Sequence, residues 1–272
     1  RHLISSKIIN TDILNNLAAI LGKQKKFDEA IDIIHAALEL DPTDPDAYFN
    51  LGNAFKEKGN VKAAIDAYKI TLDLNPADSS AHSSLGNVLR QDGRLEAAIA
   101  SYTNALEIKP NYPDAIADLS HCLLTLNRYP EGWEKYEWRN KREEPSVPHA
   151  KPQSKRWNSE IPIKEIRNLL LVCEQGLGDT LQFMRYAIAL RDQGICVSLC
   201  AQTQLHNLIK TSGLHRSPLT PEQASQVTEG EWIPLLSVPR SLEVSPENPI
   251  ITEPYIKTTE ELVNKWAGIL ST

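Results

Sequence analysis

The sequence is short of the features that mark several functional classes. No apolar run in its 272 residues approaches the roughly 18 that a membrane-spanning helix needs. Positive charge is in deficit: 29 Lys and Arg against 35 Asp and Glu leave a net −6, which argues against a general nucleic-acid or membrane-surface binder. Cysteine is scarce. Cys122, Cys173, Cys196 and Cys200 contain no C-x-x-C pair, and no histidine stands at metal-ligand spacing from them. The expectation is buried, reduced thiols, no metal site, a reducing compartment and hence a cytoplasmic location. No signal peptide is visible, and the chain opens on Arg1, as a piece of a longer protein would. What remains, 41% hydrophobic and 24% charged, is an ordinary globular composition at a length that suits two domains.

Internal periodicity is the first thing present. PDAYFNLGNAFKEKGNVKAAIDAYKITLDLNPAD starts at Pro45, and SSAHSSLGNVLRQDGRLEAAIASYTNALEIKPNY starts at Ser79, an offset of 34 residues. Leu51-Gly52 matches Leu85-Gly86, Gly59 matches Gly93, Ala64 matches Ala98, Tyr68 matches Tyr102 and Pro76 matches Pro110. The frame extends back through Leu17, Ala18, Ala30, Ile34, Ala37 and Pro42, and forward through Leu119, Ser120, Gly132 and Tyr136. Small residues let paired helices approach, and large apolar ones fill the space between them. Gly59 and Gly93 suit the turn inside a hairpin, and the prolines sit where a second helix must stop. This pattern is similar to the tetratricopeptide-repeat family. Four repeats are expected, at about 11–44, 45–78, 79–112 and 113–146, in an α-helical superhelix over residues 1–146.

Such arrays bind extended peptides along the wall built from first helices. Helical spacing puts Phe49, Asn53 and Lys56 on one face, with Ser83, Asn87 and Arg90 one repeat later. Asn50 and His121 join them as candidate groove residues. Asn53 and Asn87 share one repeat position, where side-chain amides can bond a peptide backbone of any sequence. NLGNAFKEKG also resembles repeats of the O-linked N-acetylglucosamine transferases, which use an asparagine ladder this way. The alternative is that both asparagines are solvated polar residues of a generic repeat.

The fourth repeat is aromatic-rich. Trp133 and Tyr136 share a helix face, which is expected to pack as the end cap of the array, and Lys135, Arg139, Lys141 and Arg142 read as a solvated face balanced by Glu143 and Glu144. Residues 147–160 follow as a proline-bearing linker, with Trp157 as an apolar anchor.

After Ile161 the pattern turns α/β. Strands are expected at Asn168–Cys173, Ile195–Cys200 and Trp232–Leu236, and helices at Thr180–Asp192, Gln204–Thr211 and Thr259–Leu270, which implies a parallel sheet with helices on its faces over 161–272. NLLLVCEQGLGDTLQFMRYAIAL joins a buried strand, a glycine turn and a helix start, the place where open α/β sheets bind ligands. Leu181 stands where a dinucleotide fingerprint needs its third glycine, Asp179 would repel a pyrophosphate, and there is no P-loop lysine, so no cofactor is expected. Asp179 with Gln182 three residues on has the spacing of a helix cap and capping box.

EGWEKYEWR, the linker ending in Trp157, CEQGLGDTLQFMRYAIAL, EWIPLLSVPR and PYIKTT together resemble bacterial tetratricopeptide-repeat proteins fused to a heptosyltransferase-like glycosyltransferase of GT-B type. The resemblance implies that 161–272 is the Rossmann-like N-terminal, acceptor-side half, with Asp179 as the general base that deprotonates an acceptor hydroxyl without a metal. Glu174, Gly176, Gly178, Gln182 and Arg185 would line the acceptor side. The nucleotide-sugar donor would bind a second half that is not in this sequence, so the chain by itself is not expected to catalyse transfer. The competing expectation is a non-catalytic adaptor that binds peptide in the repeat groove. A base role and a plain capping role for Asp179 both remain open at this point.

Overall fold

A computed structural model describes residues 10–158, 161–174, 176–250, 253–257 and 259–261. The chain divides into two compact units, Arg1–Leu126 and Asn127–Thr272. The division falls inside the fourth expected repeat.

The first unit is a run of helical hairpins: α1 (Thr11–Lys23), α2 (Phe27–Leu40), α3 (Pro45–Glu57), α4 (Val61–Leu74), α5 (Ser79–Gln91), α6 (Leu95–Ile108) and α7 (Pro113–Thr125). Acidic caps start the central first helices. The Asp44 carboxylate accepts from the backbone N–H groups of Asp46 and Ala47 at 2.9 and 3.3 Å, and Asp78 does the same for Ser80 and Ala81 at 2.8 and 3.0 Å. Gly59 and Gly93 turn the chain between helices at φ +75° and +77°. The equivalent residue of the first repeat is Lys25, also left-handed at φ +60°. An L-residue is disfavoured there by about 1–2 kcal/mol, so the outer repeat holds the family turn without the family glycine.

Within each hairpin, glycine and tyrosine interlock. A methyl group on Gly52 or Gly86 would lie 2.6 or 2.7 Å from the ring of Tyr68 or Tyr102, and both rings are fully buried. Ala64 and Ala98 are likewise buried, and α1, α3, α5 and α7 neighbour one another in turn, so the first helices form one wall of a helical-repeat superhelix.

The second unit begins with α8 (Tyr129–Tyr136) and a 3₁₀ turn over Glu137–Lys141. Then come β1 (Lys155–Arg156), β2 (Asn168–Val172), α9 (Leu177–Asp192), β3 (Cys196–Cys200), α10 (His206–Thr211), α11 (Pro221–Ala224), β4 (Glu231–Pro234) and α12 (Val238–Ser241). The strands form one parallel sheet in the order β1-β4-β2-β3. The apolar run of β2 is covered on both faces. Leu169 and Leu171 join a core with Met184, Ala187 and Leu190 of α9, while Leu170 and Val172 pack with Ala150, Ala224 and Trp232.

Three readings need correction. β1 lies inside the expected linker: Lys155 and Arg156 pair with Glu231 and Trp232, and the Trp157 N–H donates to the Trp232 carbonyl at 2.9 Å. α9 starts at Leu177 with extended Gly176 as its N-cap and no side-chain capping bond, so Asp179 sits inside the first helical turn and is not the cap. The basic run after Trp138 is not uniformly solvated, because Arg139 is only 3% exposed. The helix expected over 259–270 lies largely outside the described residues.

Candidate functional sites

The wall of first helices carries the repeat-unit candidates. A pocket of about 300 Å³ lies among α1, the start of α2, and α3, and it collects Asn50, Asn53 and Lys56 of the expected groove. Opposite them stand Ala18, Ala19 and Gly22 of α1, with Lys23 at the rim. None of these was a groove candidate from sequence, although Ala18 belongs to the repeat frame, and the frame contains the signal. Ala19 occupies the column of Asn53 and Asn87, and Gly22 the column of Lys56 and Arg90, so the first repeat is small where later ones are large. A methyl group added to Gly22 would meet nothing within 4 Å.

The asparagines are oriented from within the repeat. Asn53 Oδ1 accepts from the Tyr68 hydroxyl at 2.8 Å, and Asn87 Oδ1 from Tyr102 at 2.7 Å. With the oxygen engaged, each side-chain NH₂ keeps its two donors outside that bond. Burial lifts both tyrosine hydroxyls well above their ordinary pKa, so they act as donors at any physiological pH. The remaining candidates do not share the pocket. Phe49 packs against Tyr68 at 5.9 Å between centroids, Ser83 is buried, Arg90 reaches Tyr102 and the neighbourhood of Asp118, and His121 is exposed on α7. Burial alone would depress the Arg90 guanidinium, but Tyr102 and Asp118 hold it above its ordinary value.

In the second unit the chemistry gathers at the carboxyl ends of the strands. The chain runs from β2 outward to β3 and returns to β4 on the other side of β2, so the topological switch point lies between β2 and β4. Glu174 follows β2 and Ser237 follows β4. The space between them is taken by the chain's own guanidinium: Arg139 Nη2 donates to both Glu174 oxygens at 3.0 and 2.9 Å and to Ser237 Oγ at 2.9 Å. Arg139 Nη1 reaches Glu137 at 3.2 Å, and the Leu236 N–H adds a bond to Glu174 at 3.2 Å. Glu174 is therefore engaged inside the unit. Neighbouring Trp133 is fixed by an edge contact to Phe183 at 6.5 Å and by its indole N–H, which donates to the Val244 carbonyl at 3.2 Å.

The other sequence candidates stand at the start of α9. Gly176 and Gly178 are exposed, neither has a left-handed backbone, and Asp179 is partly exposed. Gln182 is exposed, and Arg185 Nε donates to the Gln182 backbone oxygen at 2.9 Å. His149, from the expected linker, comes to the same edge. Its N–H donates to the Cys173 carbonyl at 2.8 Å, its ring lies 3.4 Å from Gln202, and Gln202 accepts from Thr180 at 2.9 Å. No sequence spacing pointed to His149, because it arrives from outside the strand-helix pattern. Burial raises the Cys173 and Cys200 thiols to about 12, and Cys196 is exposed rather than buried as expected. Among the described residues no cluster of His, Cys, Asp or Glu is built to hold a metal.

A family profile described as a tetratricopeptide repeat matches residues 49–113, and one described as a TPR repeat matches residues 18–59. Tetratricopeptide repeats are therefore present in the first unit. Among solved structures the chain is similar to MamA, at 24% identity over 50% of this chain and 80% of that one, with a TM-score of 0.47. It is also similar to the first TPR of Spaghetti (RPAP3) bound to the HSP90 peptide SRMEEVD, at 26% identity over 43% of this chain and 93% of that one, with a TM-score of 0.42. A third is YrrB, a TPR protein with an unusual peptide-binding site, at 23% identity over 48% of this chain and 67% of that one, with a TM-score of 0.43. No curated protein matches the chain in sequence.

Proposed function

We propose that the repeat unit is a protein-interaction module that takes an extended peptide along the wall of α1, α3, α5 and α7. The observation that carries this reading is the pocket where Asn50, Asn53 and Lys56 face the small residues Ala18, Ala19 and Gly22. Small residues leave room for a peptide side chain. The Asn53 and Asn87 amides supply donors to peptide carbonyls, while the Lys56 ammonium is paired at 3.2 Å with Glu57 of the same lining, so the pocket favours backbone recognition over charge. Selecting peptides from a random library on the wild-type protein, then measuring their affinity for Gly22→Leu and Asn53→Ala, tests it. Selected peptides that bind both variants as tightly as wild type would remove the pocket from the account.

The second unit fits a further role, as the Rossmann-like acceptor-side half of a nucleotide-sugar-dependent glycosyltransferase of GT-B type. Its support is the parallel sheet and the position of Asp179, which stands in the open first turn of α9 with no capping duty. In this reading Asp179 takes the proton from an acceptor hydroxyl, Gly176 and Gly178 keep the approach open, and Gln182 with Arg185 flank it. His149 and Gln202 lie at the same edge. The donor site belongs to a second half outside this sequence. A protein containing both halves, assayed with a panel of nucleotide-sugars, is expected to transfer sugar and to lose turnover in Asp179→Asn. Undiminished turnover in that variant refutes the base role, and the complete absence of transfer or donor hydrolysis favours a non-catalytic adaptor.

A further inference from the structure

Arg139 closes the switch-point crevice, but the same sheet edge opens again beside it. A pocket of about 330 Å³ sits where β1 and β4 end, bounded by Arg156 at the end of β1 with Trp157 and Asn158 after it, and by Pro234 at the end of β4 with Arg240 and Ser241 of α12. That volume lies at the lower end of small-molecule sites, roughly 300–1,000 Å³.

The charge balance of this pocket differs from that of the chain. Arg156 and Arg240 are both exposed, and neither has a carboxylate partner among the described residues. The one acidic residue in the lining, Glu137, is already committed: Oε1 takes Arg139 Nη1 at 3.2 Å and Oε2 accepts from Ser237 Oγ at 3.0 Å. Two guanidinium groups therefore face one cavity in a protein whose net charge is −6. Arg156 is also placed against an aromatic, with its guanidinium carbon 5.4 Å from the Trp232 ring centroid. Trp157 supplies a flat apolar wall held at two points. Its backbone N–H donates to the Trp232 carbonyl and its indole N–H to the Ile161 carbonyl, both at 2.9 Å. Paired guanidiniums match a phosphate's oxygens, and a fixed indole matches a planar ring.

We propose that this pocket binds a small phosphomonoester carrying a flat ring, with Arg156 and Arg240 on the phosphate and Trp157 against the ring. The role is independent of peptide binding by the repeats and of a base role for Asp179.

Titration calorimetry of the whole chain with adenosine 5′-monophosphate, inorganic phosphate and adenosine tests it. The monophosphate is expected to bind saturably at one site, more weakly as salt is raised, and at least about tenfold more tightly than either fragment. Arg156→Gln and Arg240→Gln are each expected to weaken it about tenfold or more with unchanged circular dichroism, since both side chains are on the surface. Trp157→Phe should retain part of the affinity by keeping a ring in place. Absence of saturable binding below about 5 mM overturns the proposal, as does wild-type affinity in the double arginine variant. Adenosine binding as tightly as the monophosphate overturns the phosphate assignment, and phosphate binding as tightly overturns the ring.

Discussion

Replacing Arg139 with Met keeps the stem of the side chain and removes the charge. The structure makes this a large perturbation. Arg139 is 3% exposed, and the Glu174 side chain it holds is fully shielded from solvent. Without the guanidinium, Glu174 retains one backbone donor among the described residues, from Leu236. Breaking a buried pair by removing one partner costs about 3–5 kcal/mol, a large share of the roughly 5–15 kcal/mol that a domain has. Burial already pushes the Glu174 carboxyl above its ordinary value while Arg139 opposes the rise, so the variant's carboxyl moves further up. A group whose folded pKa is raised contributes stability below its unfolded pKa, about 4.3, and that contribution is lost as pH rises through the folded value. The loss in Arg139→Met is therefore greater at about pH 8 than at about pH 5. Adding Glu174→Gln to the variant removes the orphaned charge and restores most of the loss. The assay is built into the sequence, because all 5 tryptophans come after Leu126, where the first unit ends, and Trp133, Trp138, Trp157 and Trp232 lie in the second unit. Urea unfolding followed by tryptophan emission reports that unit, while far-UV ellipticity is dominated by the repeat helices. A shift of less than about 1 kcal/mol, the size expected of a surface ion pair, refutes the reasoning. So does a double variant no more stable than Arg139→Met.

Two glycines are predicted to respond with opposite sign. Gly86→Ala drives a methyl group into the buried Tyr102 ring, at about 1–3 kcal/mol, against about 1 kcal/mol of improved helix propensity. Gly22→Ala meets nothing and is expected to gain up to about 1 kcal/mol. Thermal melts by far-UV ellipticity separate them, and a stabilised Gly86→Ala would contradict the interlocked packing. Of the 4 thiols, Cys196 alone is exposed, and burial raises Cys122 to about 11 and Cys173 and Cys200 to about 12. A thiol-reactive disulfide reagent at mildly alkaline pH should label one residue in the native protein, lost in Cys196→Ser, and all after denaturation; rapid labelling of a second thiol would contradict the burial assigned to the others.

The repeat frame was legible because each of its rules is local. Gly59 and Gly93 turn the chain, Pro76 and Pro110 follow helix ends, and Tyr68 and Tyr102 fill the space over Gly52 and Gly86. The asparagine column was legible too, but the tyrosine hydroxyls that orient it lie 15 residues away on the partner helix. In the second unit the apolar run of β2 announced a strand covered on both faces. β1 gave no such signal, since Lys155 and Arg156 have neither alternation nor β-branching and are held by the backbone of β4. Arg139 looked like one charge among several, and its partner lies 35 residues downstream. The start of α9 was displaced because extended Gly176 can precede a helix without a polar side chain, which moved Asp179 from the cap into the first turn.

Peptide binding in the pocket among α1, α2 and α3 is the claim on which the functional account rests, and benzophenone photo-crosslinking tests it most directly. With the photoreactive residue placed at Ala19, library-selected peptides are predicted to crosslink there, to do so less when Gly22 is Leu, and not to crosslink from Asp66 on the exposed side of α4. Crosslinking from Asp66 but not Ala19, or from Ala19 at the same yield with Gly22→Leu, would contradict the account.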